Sequence, residues 1–168
     1  MLSGHPQGTG GTPHDGGDLA RPVGNPFPSH EGIHWVERGL PRTGMDWEVQ
    51  PEGLTRLLVR VAEEYAPGVA LYVTENGAAY DDAVGEDGVV HDAERLAFLR
   101  AHLGASLDAI EQGVDLHGYF YWSLMDNYEW SWGYEKRFGI VRVDYDTLER
   151  TVKDSGAEYA RIIAARAL

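Results

Sequence analysis

Residues 69–74, VALYVT, narrow most sharply what this chain can fold into. The run is apolar on both parities and rich in β-branched and aromatic residues. Pro67-Gly68 precedes it and the turn signal Glu75-Asn76-Gly77 follows it. A short run of this kind, bounded by breakers, reads as a strand buried on both faces. Such strands belong to parallel sheets, whose connections place helices over the faces. The flanking sequence agrees. Before the run, Leu54, Leu57, Leu58, Val61, Ala62 and Tyr65 recur at helical spacing from Pro51, with Glu52 at the positive helix end. After it, Asp92 is placed to cap a helix whose apolar stripe is Leu96, Leu99, Leu103, Leu107 and Ile110, and Gly113 ends that helix. A second strand is expected at about 116–124, again apolar on both parities. An aromatic-rich loop, a shorter alternating piece at 138–145 and a last helix at about 155–167, capped by Asp154 or Ser155, complete the order. The acidic stretch 81–92 reads as a solvated loop.

Residues 1–34 differ from all of this. They hold 8 of the 21 glycines and 5 of the 8 prolines but only four charged side chains, and no periodicity. Such a composition cannot bury a core. The expected organisation is a Gly/Pro-rich loop over 1–44 and a folded part over 45–168.

Composition excludes several functions. With 14 basic and 27 acidic residues the formal charge is −13, against nucleic-acid binding, which needs clustered Lys and Arg. No apolar run approaches the roughly 20 residues of a membrane span. There is no basic start with an apolar stretch behind it, so no signal peptide is visible and a cytoplasmic location is expected. The absence of cysteine removes disulfides and thiolate chemistry. His5, His14, His30 and His34 fit no helical ligand pair. His91, His102 and His117 read as helix-end, packing or strand-end residues. The acidic loop lacks EF-hand spacing, and no glycine-rich phosphate loop occurs. No metal and no cofactor is expected.

Two segments could carry chemistry. Glu75 follows directly on the first strand, and sites of parallel α/β proteins are built at strand C-terminal ends. A part-buried carboxylate there can be a nucleophile, a general base or a ligand. It can equally be a strand-end residue that caps the next turn. The second segment is 117–138, HGYFYWSLMDNYEWSWGYEKRF. Nine of the 18 aromatics fall between Tyr119 and Phe138, interleaved with Asp126, Asn127, Glu129 and Glu135. Aromatic faces stack on sugar C–H faces while carboxylates and amides bond hydroxyls, so this mixture suits an uncharged polyol. Large aromatics are also common core residues, as expected for Tyr119 and Phe120. Trp122, Trp130 and Trp132 in a turn-rich stretch are harder to assign to a core.

These segments, with others, resemble glycoside hydrolase family 1, the β-glucosidase family. The matching stretches are MDWEVQPEGL (45–54), LYVTENGAA (71–79), GYFYWSLMDNYEW (118–130), RFGIVRVDY (137–145) and KDSG (153–156). The resemblance implies α/β architecture: the C-terminal portion of a (β/α)8 TIM barrel, comprising its last two strands and their helices. It implies that Glu75 is the catalytic nucleophile at the end of the seventh strand. It further implies that Trp122 is the sugar-stacking platform, Glu129 the carboxylate bonding distal hydroxyls, Trp130 its indole partner and Phe138 a wall of the same subsite. A carboxylate at Glu129 would repel a sugar phosphate, which favours a neutral glycone.

Retaining hydrolysis needs a second carboxyl group roughly 5–5.5 Å from the nucleophile. In the family that acid/base lies in an Asn-Glu-Pro motif. Here Asn25, Asn76 and Asn127 are followed by Pro, Gly and Tyr. A TIM barrel also takes about 250 residues, more than the 168 of this chain. The expected function is therefore that of a retaining β-glycosidase acting on terminal neutral β-linked sugars, with a small-molecule β-glycoside as substrate. The upstream part of the barrel, in the same or a separate chain, is the expected partner. The alternative is a non-catalytic remnant that binds sugar or a partner through the aromatic loop.

Overall fold

The computed structural model describes residues 36–168, and Glu37–Leu168 form one compact unit. His5, His14, His30, His34 and most of the Gly/Pro-rich stretch lie outside the described residues. Its last residues are tied to the folded part: the Val49 N–H donates to the Pro41 carbonyl at 2.7 Å and the Gly44 N–H to that of Ala79 at 2.8 Å.

Helix α1 (Pro51–Arg60) opens with proline in its first turn and closes on Arg60, which suits the helix dipole at both ends. It runs into a π-turn, Val61–Tyr65. Strand β1 (Leu71–Asn76) follows, then α2 (Ala93–Glu111) and β2 (Leu116–Tyr121). β1 and β2 are parallel, as expected of a strand–helix–strand unit. Leu58, Val73, Ala109 and Val114 form the core between the helices and the sheet, flanked by Leu71, Leu116 and Tyr119.

Among the described residues the sheet is covered on one face only. Tyr72 and Phe120, on the other face, are 54% and 58% exposed. The expectation of strands buried on both faces therefore fails for these residues, as it does for Phe120 as core. In this unit no further layer lies against that face.

α2 also departs from expectation. Its buried face is Arg95, Phe98, Leu99, His102, Ala105, Ser106 and Ala109, while Leu107 and Ile110 of the leucine stripe are exposed. Small residues win the contact because α1 approaches closely: the Thr55 hydroxyl donates to the Ala105 carbonyl at 2.8 Å. In α1 itself Leu58 is buried whereas Leu57 is exposed, as is Tyr65 in the π-turn.

The chain then turns through a 3-10 segment (Trp130–Trp132) into an antiparallel hairpin of β3 (Val141–Val143) and β4 (Arg150–Val152). β4 has no counterpart in the sequence reading. Asp144 organises the hairpin turn, accepting the N–H groups of Asp146 and Thr147. α3 (Asp154–Ala165) closes the unit and rests on β2, where the Tyr159 hydroxyl donates to the Tyr119 carbonyl at 3.0 Å.

Beneath the loops lies a buried ion network. Arg95 Nη1 bonds Asp82 Oδ1 at 2.7 Å and Asp92 Oδ2 at 2.6 Å. Lys153 Nζ bonds Asp82 Oδ2 at 2.5 Å and Asp126 Oδ1 at 2.9 Å. Arg137 Nη1 completes it on Asp126 Oδ2 at 2.6 Å. Three carboxylates thus face three cations, so the charges balance where an isolated one would be very costly to bury. Burial works against the charge of Arg95, yet Asp82 and Asp92 more than offset it and hold its pKa above the ordinary value. The 81–92 stretch is accordingly not simply solvated, since Asp82 and Asp92 are its anchors. Asp126 points into this network and not toward a ligand. Asp92 also occupies the N-cap position of α2 without capping it. Its carboxylate instead accepts the Ser155 N–H at 2.9 Å and the Ser155 hydroxyl, so it caps α3 from another helix. Neither Asp154 nor Ser155 is the N-cap of α3: that position is Lys153.

Candidate active site

Glu75 reaches its position through a register change. Val73 pairs with Tyr119, and Asn76 pairs with Tyr121, so β1 spends three residues where β2 spends two. The extra residue reverses the alternation of side chains. Asn76 therefore lies on the helix-covered side, where its Oδ1 accepts the Tyr119 hydroxyl at 2.7 Å. Glu75 is left on the face opposite the core, exposed to solvent and not part-buried. Irregularities of this kind re-aim a side chain at the end of a strand.

The next residues join β1 to the end of β2. The Trp122 N–H donates to the Asn76 carbonyl at 3.0 Å. Gly77 lies so close that a Cβ there would sit 1.7 Å from the Trp122 carbonyl oxygen. The peptide between Trp122 and Ser123 is cis. Glu75 and Trp122 are thus carried by two backbones in direct contact.

A cleft of about 540 Å³ opens at this end of the sheet. Glu75, Trp122, Glu129, Trp130 and Phe138 all line it, joined by Thr43, Trp47, Glu48, Gln50, Asn76, Gly77, Phe98 and His102. Phe138 is buried at 4% exposure in a cluster with Met45 and Ala79, against which Trp132 packs. Trp130 is the reverse, 80% exposed, and Trp122 is 37% exposed. Trp47 packs near Phe138, ring centroids 6.1 Å apart.

The three carboxylates of the cleft differ. Partial burial raises the pKa of Glu129. Glu48 Oε1 accepts the N–H groups of Arg38, Gly39 and Leu40 at 2.8, 2.9 and 3.3 Å. Those bonds, led by the one from Arg38, lower its pKa and keep it ionised. Glu75 has no hydrogen-bond or ion-pair partner among the described residues. His102 stacks on Phe98 at 3.8 Å and its Nδ1 lies 2.8 Å from the Phe98 carbonyl. Burial lowers its pKa, so it is a neutral wall.

Among the described residues no Lys or Arg lines the cleft. Lys136 donates to the Gly44 carbonyl at 2.7 Å with its ammonium 4.8 Å from the Trp132 ring centre, and Arg137 is held by Asp126. Among the described residues no group of three His, Asp or Glu side chains is arranged to hold a metal ion, and no helix is long and apolar enough to cross a membrane.

Sequence reasoning missed the wall formed by Thr43, Trp47, Glu48 and Gln50. The run MDWEVQ, one of the stretches that carry the resemblance, was its available signal. Nothing in the apolar pattern of α2 pointed to Phe98 and His102.

The model of glycosyl hydrolase family 1 matches residues 23–168. Beta-glucosidase A of Thermotoga maritima is 56% identical over 131 residues, which are 78% of this chain and 29% of that protein. The bifunctional beta-D-glucosidase/beta-D-fucosidase of Bifidobacterium breve is 50% identical over 141 residues, 82% of this chain and 30% of that protein. Among solved structures, the Thermotoga maritima family 1 β-glucosidase in complex with isofagomine lactam matches with a TM-score of 0.78 at 55% identity, over 80% of this chain and 30% of that one. The chain spans 29–30% of the length of these relatives. Over that region it belongs to glycosyl hydrolase family 1.

Proposed function

We propose that this chain supplies the nucleophile and the glycone wall of a retaining β-glycosidase, and that β1 and β2 are the last two strands of its barrel. Glu75 attacks the anomeric carbon as the bond to the departing oxygen breaks, forming a covalent glycosyl-enzyme that water then hydrolyses. Trp122 stacks on the sugar ring, Glu129 accepts its distal hydroxyls, and Trp130 and Phe138 complete the wall. The observation that carries this reading is the shared cleft of Glu75, Trp122, Glu129, Trp130 and Phe138 at the C-terminal end of the parallel strands. A neutral glycone is favoured because Glu48, Glu75 and Glu129 line the cleft and, among the described residues, no Lys or Arg does. A sugar phosphate would meet like charge there.

The proton donor is not identified within the 168 residues, which contain no Asn-Glu dipeptide. In this reading it comes from the preceding barrel segment, in the same chain or in trans. A non-catalytic remnant is the competing reading, favoured by that missing donor. An aryl β-glucoside assay separates the two. The chain alone gives no turnover. Joined to the upstream segment it hydrolyses the aryl β-glucoside with the β-anomer as first product, and Glu75→Gln lowers kcat at least about 10³-fold. An aryl 6-phospho-β-glucoside is cleaved poorly. Reconstituted protein that is inactive, or equally active with Glu75→Gln, would defeat the proposal.

A further inference from the structure

The ion network and the cleft meet at the loop that carries Glu129 and Trp130. Asp126 opens that loop, and Arg137 and Gly139 close it. The closing foot bonds the carboxylate of the opening one: Arg137 Nη1 lies 2.6 Å from Asp126 Oδ2, and the Gly139 N–H donates to Asp126 Oδ1 at 3.0 Å. Lys153, fully buried, holds the same Oδ1 at 2.9 Å. Arg95 extends the network to the segment that follows Glu75. Its Nη2 donates to the Arg137 carbonyl at 2.7 Å and its Nε to the Ala78 carbonyl at 3.4 Å, three residues after Glu75. One set of charges therefore bonds the backbone next to Gly77 and next to Phe138, both of which line the cleft. Between the feet, the backbone bonds run within the loop itself, as from the Glu129 N–H to the Gly133 carbonyl at 2.6 Å and from the Trp132 N–H to the Glu129 carbonyl at 2.8 Å.

Buried ion pairs add little net stability compared with apolar packing of the same volume, although removing one partner is costly. Loss of a charge-balanced pair should therefore be tolerated if the network only holds the fold together. It should loosen the loop if the network aims it. We propose that Lys153 is a positioning residue that acts through Asp126 to hold Glu129 and Trp130 at the cleft. The role of that loop in sugar binding rests on the function proposed above. The hold on the loop does not.

The test is amide hydrogen exchange on the 168-residue chain as wild type, Lys153→Met and the double variant Asp126→Asn/Lys153→Met. The double variant removes one charge of each sign, leaves Arg95 on Asp82 and Asp92, and leaves Arg137 bonded to the Val143 carbonyl and to the side-chain oxygen at position 126. It should recover most of the thermal midpoint that Lys153→Met loses. Its Glu129, Trp132 and Gly133 amides should still exchange at least tenfold faster than in wild type, with Ala105 and Ala109 in α2 within twofold. Loop amides within twofold of wild type would overturn the proposal. So would loop and helix amides accelerating by one common factor, the mark of a merely structural role. If the double variant does not fold, Asp126→Asn alone keeps the oxygen that accepts Gly139 and is judged by the same loop-to-helix comparison. A parallel fluorescence titration with 1-deoxynojirimycin reads the sugar site. Failure of wild type to bind it counts against the glycone reading and leaves the exchange result standing.

Discussion

Replacing Gly77 with alanine should separate the two segments that carry Glu75 and Trp122. The new methyl carbon would lie 1.7 Å from the Trp122 carbonyl oxygen and 2.7 Å from its carbonyl carbon, whereas Cβ atoms essentially never come within 3.0 Å of another heavy atom. Both obstructing atoms are backbone, so no side chain can swing aside. The backbones must part by an ångström or more, and the Trp122 N–H···Asn76 bond, now 3.0 Å, is the link most directly stretched. Overpacking costs about 1–3 kcal/mol, and a weakened hydrogen bond adds about 1 kcal/mol. The sum, about 2–4 kcal/mol, should lower the urea midpoint by about 1 M or more at the slopes usual for small domains. Gly104→Ala is the control. A Cβ there meets nothing within 4 Å, and alanine in a helix interior is favoured over glycine by about 1 kcal/mol. Urea unfolding followed by far-UV circular dichroism should move the two variants in opposite directions. A Gly77→Ala midpoint equal to wild type, with Gly104→Ala stabilised as expected, would refute the steric argument.

Two further outcomes follow from packing and charge. Leu58→Ala empties the centre of the cluster with Val73, Ala109 and Val114 and should cost about 2–5 kcal/mol in the same unfolding assay; a loss below 1 kcal/mol would mean that the core collapses around the gap. His91 links Asp154 (2.7 Å) to Asp87 (3.0 Å), and these hydrogen bonds, that to Asp154 first, raise its pKa above 6.5. Its contribution is thus fully present below pH 6.5 and is lost as pH rises through the folded value. The thermal midpoint should fall more between pH 6 and pH 8 in wild type than in His91→Asn, and equal falls would remove His91 as the cause.

Much of the architecture was legible in the sequence because period and punctuation agreed. The breakers around 69–74 and the caps and stops around the helices marked the elements of a parallel unit. The errors share one physical origin. Apolar pattern reports which residues avoid water, not which are enclosed by partners. Arg95, Lys153, Asp82, Asp92 and Asp126 are buried because their charges cancel across elements up to 71 residues apart, a balance invisible to a local window. The same blindness rotated the expected face of α2 away from its alanines and His102. β4 is three residues long and exists only through pairing with β3. At the cleft, Glu75 could be singled out from its place at the end of an apolar run, where the structure has it as the penultimate residue of β1. The register change that turns it outward, and the Glu48 wall with its three backbone donors, required the fold.

Asp92 starts one helix and caps another. Its carboxylate reaches the first turn of α3, 63 residues further along the chain. The beginnings of α2 and α3 therefore cannot fray independently: unwinding the start of α2 withdraws the acceptor that secures Ser155, and unwinding α3 strands a buried carboxylate beside Arg95. Helix ends are ordinarily the loosest parts of a domain. Here two of them open together or not at all, which makes this junction a point of folding cooperativity.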